Sequence, residues 1–324
     1  MSKISHQTVY CLLLFLCFTP IAVIAQGGSR KFSRQFTITS ENDRYMLQGK
    51  DGYYTNGLLL NYTKALQAKN GQKRLNSFEL GQKMFLPYER KIFLPSEIDR
   101  PITGYLYFRF TRTNFPSSNM LWQWGVSVDA IGDASLARSV QNTFHQWINI
   151  SSRWSWVWDY QLKSSVGANL HGTFAKGLIA DNATLLFQAV PVTKATLGAS
   201  FANISQGLFL QVGKLQSIHQ SAFWNAAVQT NDKPAPAKPE WFFYYYPEIQ
   251  YQVYNATVQG SLLRKDKGPI TSHPEPFVVT HQAGVLFSTD RYLLRLAANF
   301  QSIEAKSQRF SQRYGSVQVG YRIR

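Results

Sequence analysis

Arginines in the middle of alternating strands constrain this chain more than any other feature. Leu106, Phe108 and Phe110 alternate with Tyr105, Tyr107, Arg109 and Thr111. Tyr292, Leu294, Leu296, Ala298 and Phe300 alternate with Arg291, Arg295, Asn299 and Gln301. Val317, Val319, Tyr321 and Ile323 alternate with Ser316, Gln318, Gly320 and Arg322, and Met120 to Val128 repeats the rhythm. Period two marks strands with one apolar face. The core of a soluble sandwich would not take Arg109, Arg295 and Arg322 on the opposite face, whereas a polar lumen would.

Twelve such segments follow one another, at about 34–42, 55–65, 74–85, 103–113, 118–130, 158–174, 182–191, 206–214, 241–254, 276–288, 290–303 and 312–323. Each can cross a bilayer on a tilt, which takes roughly 9–11 residues. An even number of antiparallel strands closes without a free edge. The expected fold is therefore all-β, a twelve-stranded antiparallel transmembrane β-barrel. Aromatic clusters at Tyr53-Tyr54, at Trp154, Trp156 and Trp158, and from Trp241 to Tyr246 read as interfacial girdles. Composition agrees: 16% of residues are charged and 15% aromatic, against roughly 25% charged in soluble domains. That excludes a disordered chain. Beyond residue 25 no apolar run approaches the ~18 residues of a spanning helix.

Met1–Ala25 has Lys3 near its start, an apolar stretch and a small-residue exit at Val23-Ile24-Ala25, so it reads as a secretory signal peptide. Residues 26–324 form the barrel. Cys11 and Cys17 both lie in the leader, so the mature chain has no disulfide to hold it together. The chain carries a net +16, and loss of Lys3 leaves +15. That excess suits an anionic lipid surface. Nucleic acid is not an expected partner, because no recognised module interrupts the strand rhythm.

One segment breaks that rhythm. Leu136, Val140, Phe144, Trp147 and Ile148 recur at helical spacing, with Asp133 as a candidate N-cap. If the N-terminus starts in the periplasm, the loops after strands 1, 3 and 5 emerge outside the cell. They carry Glu41-Asn42-Asp43 and Tyr53 to Gly57, then 85–101, then the helix with Gln141, Asn142 and His145. A carboxylate, an amide, a hydroxyl and an imidazole on one rim make a candidate hydrolytic site, with the histidine as general base.

These residues, in this order, resemble the outer-membrane lipid A 3-O-deacylases. The likeness rests on Glu41-Asn42-Asp43, Asp51 to Gly57, Asp99-Arg100-Pro101 with Gly104-Tyr105-Leu106, Ile131-Gly132-Asp133, Val140 to His145, and Trp158 to Gln161. It is dense over 34–162 and continues as strand rhythm to the end. The resemblance implies a twelve-stranded barrel with its site at the outer rim of the outer membrane. It also implies calcium-dependent hydrolysis of the 3-position acyl group of lipid A, with lipopolysaccharide as partner and the protein a monomer. Asn42, Asp43, Thr55 and His145 match the positions that the family uses. His145 would deprotonate water, and a divalent cation or the Asn42 amide would stabilise the oxyanion. Asp43 would hold the ion or orient the histidine, and Thr55 would position water or the ester. Ca²⁺ suits oxygen ligands better than zinc does. Arg90 and Lys91 are the nearest match to the family's basic stretch and would bind substrate. Where the family carries an acid about a turn and a half after the histidine, this chain reads Asn149-Ile150-Ser151-Ser152. That difference keeps a rival open: a barrel of the same fold acting as a pore, or as a structural or lipid-binding protein.

Overall fold

The computed structural model describes residues 32–46, 52–69, 72–88, 92, 94–147, 155–179, 186–230 and 238–324. The expected leader, Arg90 and Lys91, the stretch 149–152, Trp154 and most of the Pro- and Lys-rich turn at 231–240 lie outside the described residues. Twelve strands run in chain order: β1 (Arg34–Asn42), β2 (Tyr54–Lys69), β3 (Gln72–Phe85), β4 (Thr103–Ser117), β5 (Met120–Ile131), β6 (Ser165–Lys176), β7 (Phe187–Gly198), β8 (Phe201–Lys214), β9 (Glu240–Asn255), β10 (Phe277–Ser288), β11 (Tyr292–Gln301) and β12 (Gln312–Ile323). Each pairs antiparallel with its neighbours, and β1 closes on β12 from Arg34↔Ile323 to Asn42↔Gly315. Closure leaves no edge strand.

The alternation sorts the side chains as the sequence suggests. Phe36, Ile38, Phe108, Trp122, Trp124, Val126, Val128 and Phe243 are exposed on the outer wall. Arg109, Arg295 and Arg322 point into the lumen. Arg109 lies over the Tyr107 ring, and Arg322 is fully buried, donating to Gln35 and Ser288. Glu79 accepts from Tyr107, Asp129 accepts from Asn169 and Ser200, and Lys194 pairs with Glu248.

The ends of β2, β4 and the other even strands' N-termini share one rim, called upper here, with the loops that follow β1, β3, β5, β9 and β11. At the lower rim the segment between β8 and β9 folds back into the barrel. Ala222, Ala226 and Val228 are buried, and Phe223 stacks on the lumen residue Phe209 with ring centres 4.0 Å apart. The Lys73 ammonium donates to the His219 and Ala226 carbonyls, and Gln35 donates to Asn225. At the upper rim Arg100 is completely buried. It donates to Glu304 at 2.7 and 3.0 Å and to Thr257 at 3.1 Å, and stacks over Phe85. Helix α2 (Ala256–Gln259) brings Thr257 to it.

Several sequence expectations about the strands and girdles need correction. The sixth strand starts at Ser165, not 158, because Trp158 and its aromatic neighbours form a short 3₁₀ turn (Ser155–Tyr160) packed under the loops. The seventh runs Phe187–Gly198 rather than 182–191, passing through Pro191 just beyond the last β6 pair, a position that proline tolerates. The eighth begins at Phe201, five residues earlier than 206. Tyr53 and Tyr54 are not girdle residues, since both are buried inside the upper rim, and neither are the buried Trp158, Phe242 and Tyr244.

Candidate functional site

The register aligns one row of outward positions along the upper rim. Asn42 on β1 faces Asn56 on β2, Asn56 faces Met84 on β3, and Met84 faces Gly104 on β4. A bulge sits in this row. Tyr54 pairs with Phe85 and Asn56 with Met84, so Thr55 is the extra residue. The bulge turns Tyr54 inward, where its hydroxyl donates to Glu41 at 2.6 Å. Thr55 is left 7% exposed, its hydroxyl donating to the Met84 carbonyl at 3.3 Å.

Asp43 follows Asn42 at the start of a short 3₁₀ turn (Asp43–Met46). It is 2% exposed, and one carboxylate oxygen accepts the Gly52 N–H at 2.7 Å. The Asn42 side-chain amide oxygen (Oδ1) accepts the Arg44 N–H at 2.9 Å, tightening the same turn. Asn42, Asp43 and Thr55 thus share one β1–β2 corner.

His145 arrives from a separate element. Helix α1 (Ala137–Trp147) begins directly on the outer wall. A Cβ at Gly104 would collide with Ser135 Oγ and Ala137 Cβ, so glycine is what lets the helix start sit there. Gln82, on the outward face of β3, donates to the Ser135 carbonyl at 2.7 Å. Trp158 Nε1 donates to Gln141 Oε1 at 2.7 Å, and Arg138 pairs with Asp159 at 2.8 Å. Ala137, Gln141 and His145 stand four residues apart, on one face of the helix. The first two hold that face against wall and loops, so half-buried His145 continues the line. The parallel line of Leu136, Val140 and Phe144, with Trp147, stays exposed. Asp133 does not cap the helix: its carboxylate accepts from Gln161, and Leu136 in the left-handed region (φ 59°) makes the joint.

Sequence reasoning missed Gly104 and Gln82 as the seat of the helix, and Asn56 as the link between Asn42 and the bulge. A glycine at an outward strand end next to a helix-bearing loop was the available signal. The Asp99-Arg100-Pro101 motif is architectural. Asp99 accepts the Tyr53 hydroxyl at 2.6 Å, and that oxygen in turn accepts the Arg309 and Phe310 N–H groups. Burial and the bond to Asp99 push the Tyr53 phenol well above its usual range, so it stays a donor. Burial lowers the Arg100 pKa, while the Glu304 carboxylate opposes that shift.

Among the described residues, no three His, Cys, Asp or Glu side chains come together as a metal-holding group. The oxygen donors at the corner are the Asp43 carboxylate, the Asn42 amide, the Thr55 hydroxyl and strand carbonyls. That set has the chemistry of a hard cation rather than of zinc.

The family model described as "Outer membrane protein LpxR" matches residues 10–323. Among solved structures, LpxR from Salmonella typhimurium superposes with a TM-score of 0.72 at 17% identity, covering 89% of this chain and 100% of that one. The β domain of the Bordetella autotransporter BrkA gives 0.44 at 9% identity over 90% and 99% of the two chains. The translocator domain of the autotransporter NalP from Neisseria meningitidis gives 0.40 at 9% over 98% and 97%. No curated protein matches the sequence.

Proposed function

The chain belongs to the LpxR family of outer membrane proteins, the lipid A 3-O-deacylases that its sequence resembles, and from that premise we propose a mechanism and a place for the site. The upper rim faces the cell exterior, and the reaction takes place on the outer wall between α1 and the β1–β4 row. The observation that supports this reading is the shared helix face of Ala137, Gln141 and His145: Ala137 meets the wall at Gly104 and Gln141 is held by Trp158, and on that face the imidazole would be turned toward the wall rather than to solvent.

His145 takes a proton from water, and the water oxygen bonds to the carbonyl carbon of the 3-position ester. Donors at the Asn42 corner stabilise the oxyanion, and His145 returns its proton to the departing sugar oxygen as the C–O bond breaks. Thr55 positions the water or the ester. Asp43 would hold a Ca²⁺ ion with neighbouring carbonyl oxygens, and that ion would supply positive charge next to the developing oxyanion. Arg90 and Lys91 would bind substrate.

The test is release of the 3-position acyl chain from purified lipid A. His145→Ala is expected to lose about 10²–10⁴-fold in rate and to gain nothing from added Ca²⁺. Asp43→Asn is expected to be inactive at low Ca²⁺ and to recover part of its rate in excess. A His145→Ala rate within a few-fold of wild type would refute the base assignment. The pore reading finds no support, since side chains from the β8–β9 segment fill the lower lumen.

A further inference from the structure

A second feature of the outer wall lies on β4 to β7, beside α1 and outside the Asn42 corner. The loop between β9 and β10 reaches across to the head of β6. Arg264 donates to the Ser164 carbonyl at 2.7 Å, and Lys163 donates its N–H to the Lys267 carbonyl at 3.1 Å. Gly260, with φ 72°, turns the chain into this tip, and Ser261 Oγ accepts the Leu263 N–H. The fixed tip presents two leucines to solvent, Leu262 at 59% and Leu263 at 72% exposure. Arg264, Lys265 and Lys267 follow directly, with Lys163 alongside. The acid among them, Asp266, accepts the Gly268 N–H and lies 4.0 Å from the Lys163 ammonium. The cluster keeps an excess of three positive charges.

Directly down β6 the wall is hollow. A cavity of about 420 Å³ opens on the lipid-facing side around Ala168, walled by Phe108, Phe110, Val128, Leu170 and Leu197. The small Ala168 and Gly198 stand among these larger side chains and leave the hollow between them. Ala168 and Leu170 lie four and six residues below Ser164, about 13 and 20 Å along the strand. At that depth the available occupant is hydrocarbon. Above it stands a cationic tip with an apolar pair of its own.

We propose that the 262–267 tip and the β4–β7 hollow together seat one lipid A molecule, with a phosphate at Lys163, Arg264, Lys265 and Lys267 and one acyl chain against Ala168. The charge and the apolar wall fit the two ends of a phosphorylated, acylated lipid, and a soluble anion would leave the hollow unused. The seat holds the substrate beside α1, because β4 carries both Gly104 under the helix and Phe108 in the hollow. This last step rests on the deacylase mechanism proposed above, whereas the binding itself does not.

The experiment measures retention of lipid A by the detergent-solubilised full-length barrel, with bisphosphorylated and enzymatically dephosphorylated lipid A as probes. Removing a basic residue near an anionic lipid surface weakens binding about 5-fold. The Lys265→Gln/Lys267→Gln variant is therefore expected to bind the bisphosphorylated form about 25-fold more weakly and the dephosphorylated form as wild type does. Ala168→Phe, which fills the hollow, is expected to weaken both. Equal retention of the bisphosphorylated form by wild type and the double lysine variant would overturn the seat. In turnover assays the lysine variant should raise KM about as much as it weakens binding and leave kcat unchanged. Weakened binding with an unchanged KM would overturn the assignment of the bound molecule as substrate. A wild-type barrel that retains lipid A but never deacylates it would count against the mechanism and leave the seat standing.

Discussion

Gly104→Ala tests how tightly the helix and the wall are coupled. Position 104 lies on the outer face at the top of β4, and a single methyl group there has nowhere to go. It would fall more than 1 Å inside the ~3.5 Å carbon contact distance of Ala137 Cβ. Ser135 could rotate its hydroxyl aside, but Ala137 Cβ is fixed to the helix backbone, so α1 must shift by roughly that amount. Its anchors are rigid on both sides, with Gln82 holding the Ser135 carbonyl and Trp158 holding Gln141. The displacement therefore passes to His145, two turns along the same face. A misplacement of about 1 Å in a catalytic group costs about 10²-fold. Gly104→Ala should thus lower deacylation about 100-fold while the strands stay paired, since an outward alanine suits a strand. The assay is mass spectrometry of lipid A after incubation with purified protein, run alongside far-UV circular dichroism in detergent. A folded Gly104→Ala barrel with activity within 3-fold of wild type would show that the helix seat does not position the histidine.

Two further outcomes follow from the architecture. Glu304→Gln leaves the fully buried Arg100 without its counter-charge, a change that costs about 3–5 kcal/mol. The denaturant midpoint should fall, and a Glu304→Met/Arg100→Met pair should recover most of it; unchanged midpoints in the single variant would refute the pairing. The apolar outer wall needs lipid or detergent, so the protein should refold in micelles and migrate differently on gels before and after boiling. A stable, monodisperse monomer in plain buffer would contradict the barrel.

The strands were legible because alternation is local: each residue's face is set by its neighbours two positions away. The lumen arginines were legible for the same reason. Boundaries slipped where aromatic residues repeated with period two for other causes, as at Trp156, Trp158 and Tyr160, which pack as a roof. The ring pair Tyr53-Tyr54 misled because a bulge reverses the facing at Thr55, and a bulge depends on the partner strand. The residue types at the corner, Asn42, Asp43 and Thr55, were readable as a group. The seat at Gly104 left only the glycine itself as a signal, because it records an approach by a segment some thirty residues later in the chain. The lower plug was likewise hidden, its Ala222 to Val228 carrying no period that announces burial.

That plug bears on what the cell can tolerate. Outer membranes exclude bile salts, dyes and many antibiotics, and an open barrel made in quantity would compromise that barrier. Here Phe223 and Trp224 stack into the lumen beside Phe209, and Arg295 lies over the Phe223 ring. Copy number is then decoupled from leakage, so a cell could remodel its surface extensively by making more of this protein without becoming permeable. The exterior of the barrel is free to change with its lipid surroundings, because the described part of the β8–β9 segment packs inside the lumen and not against the wall's lipid face.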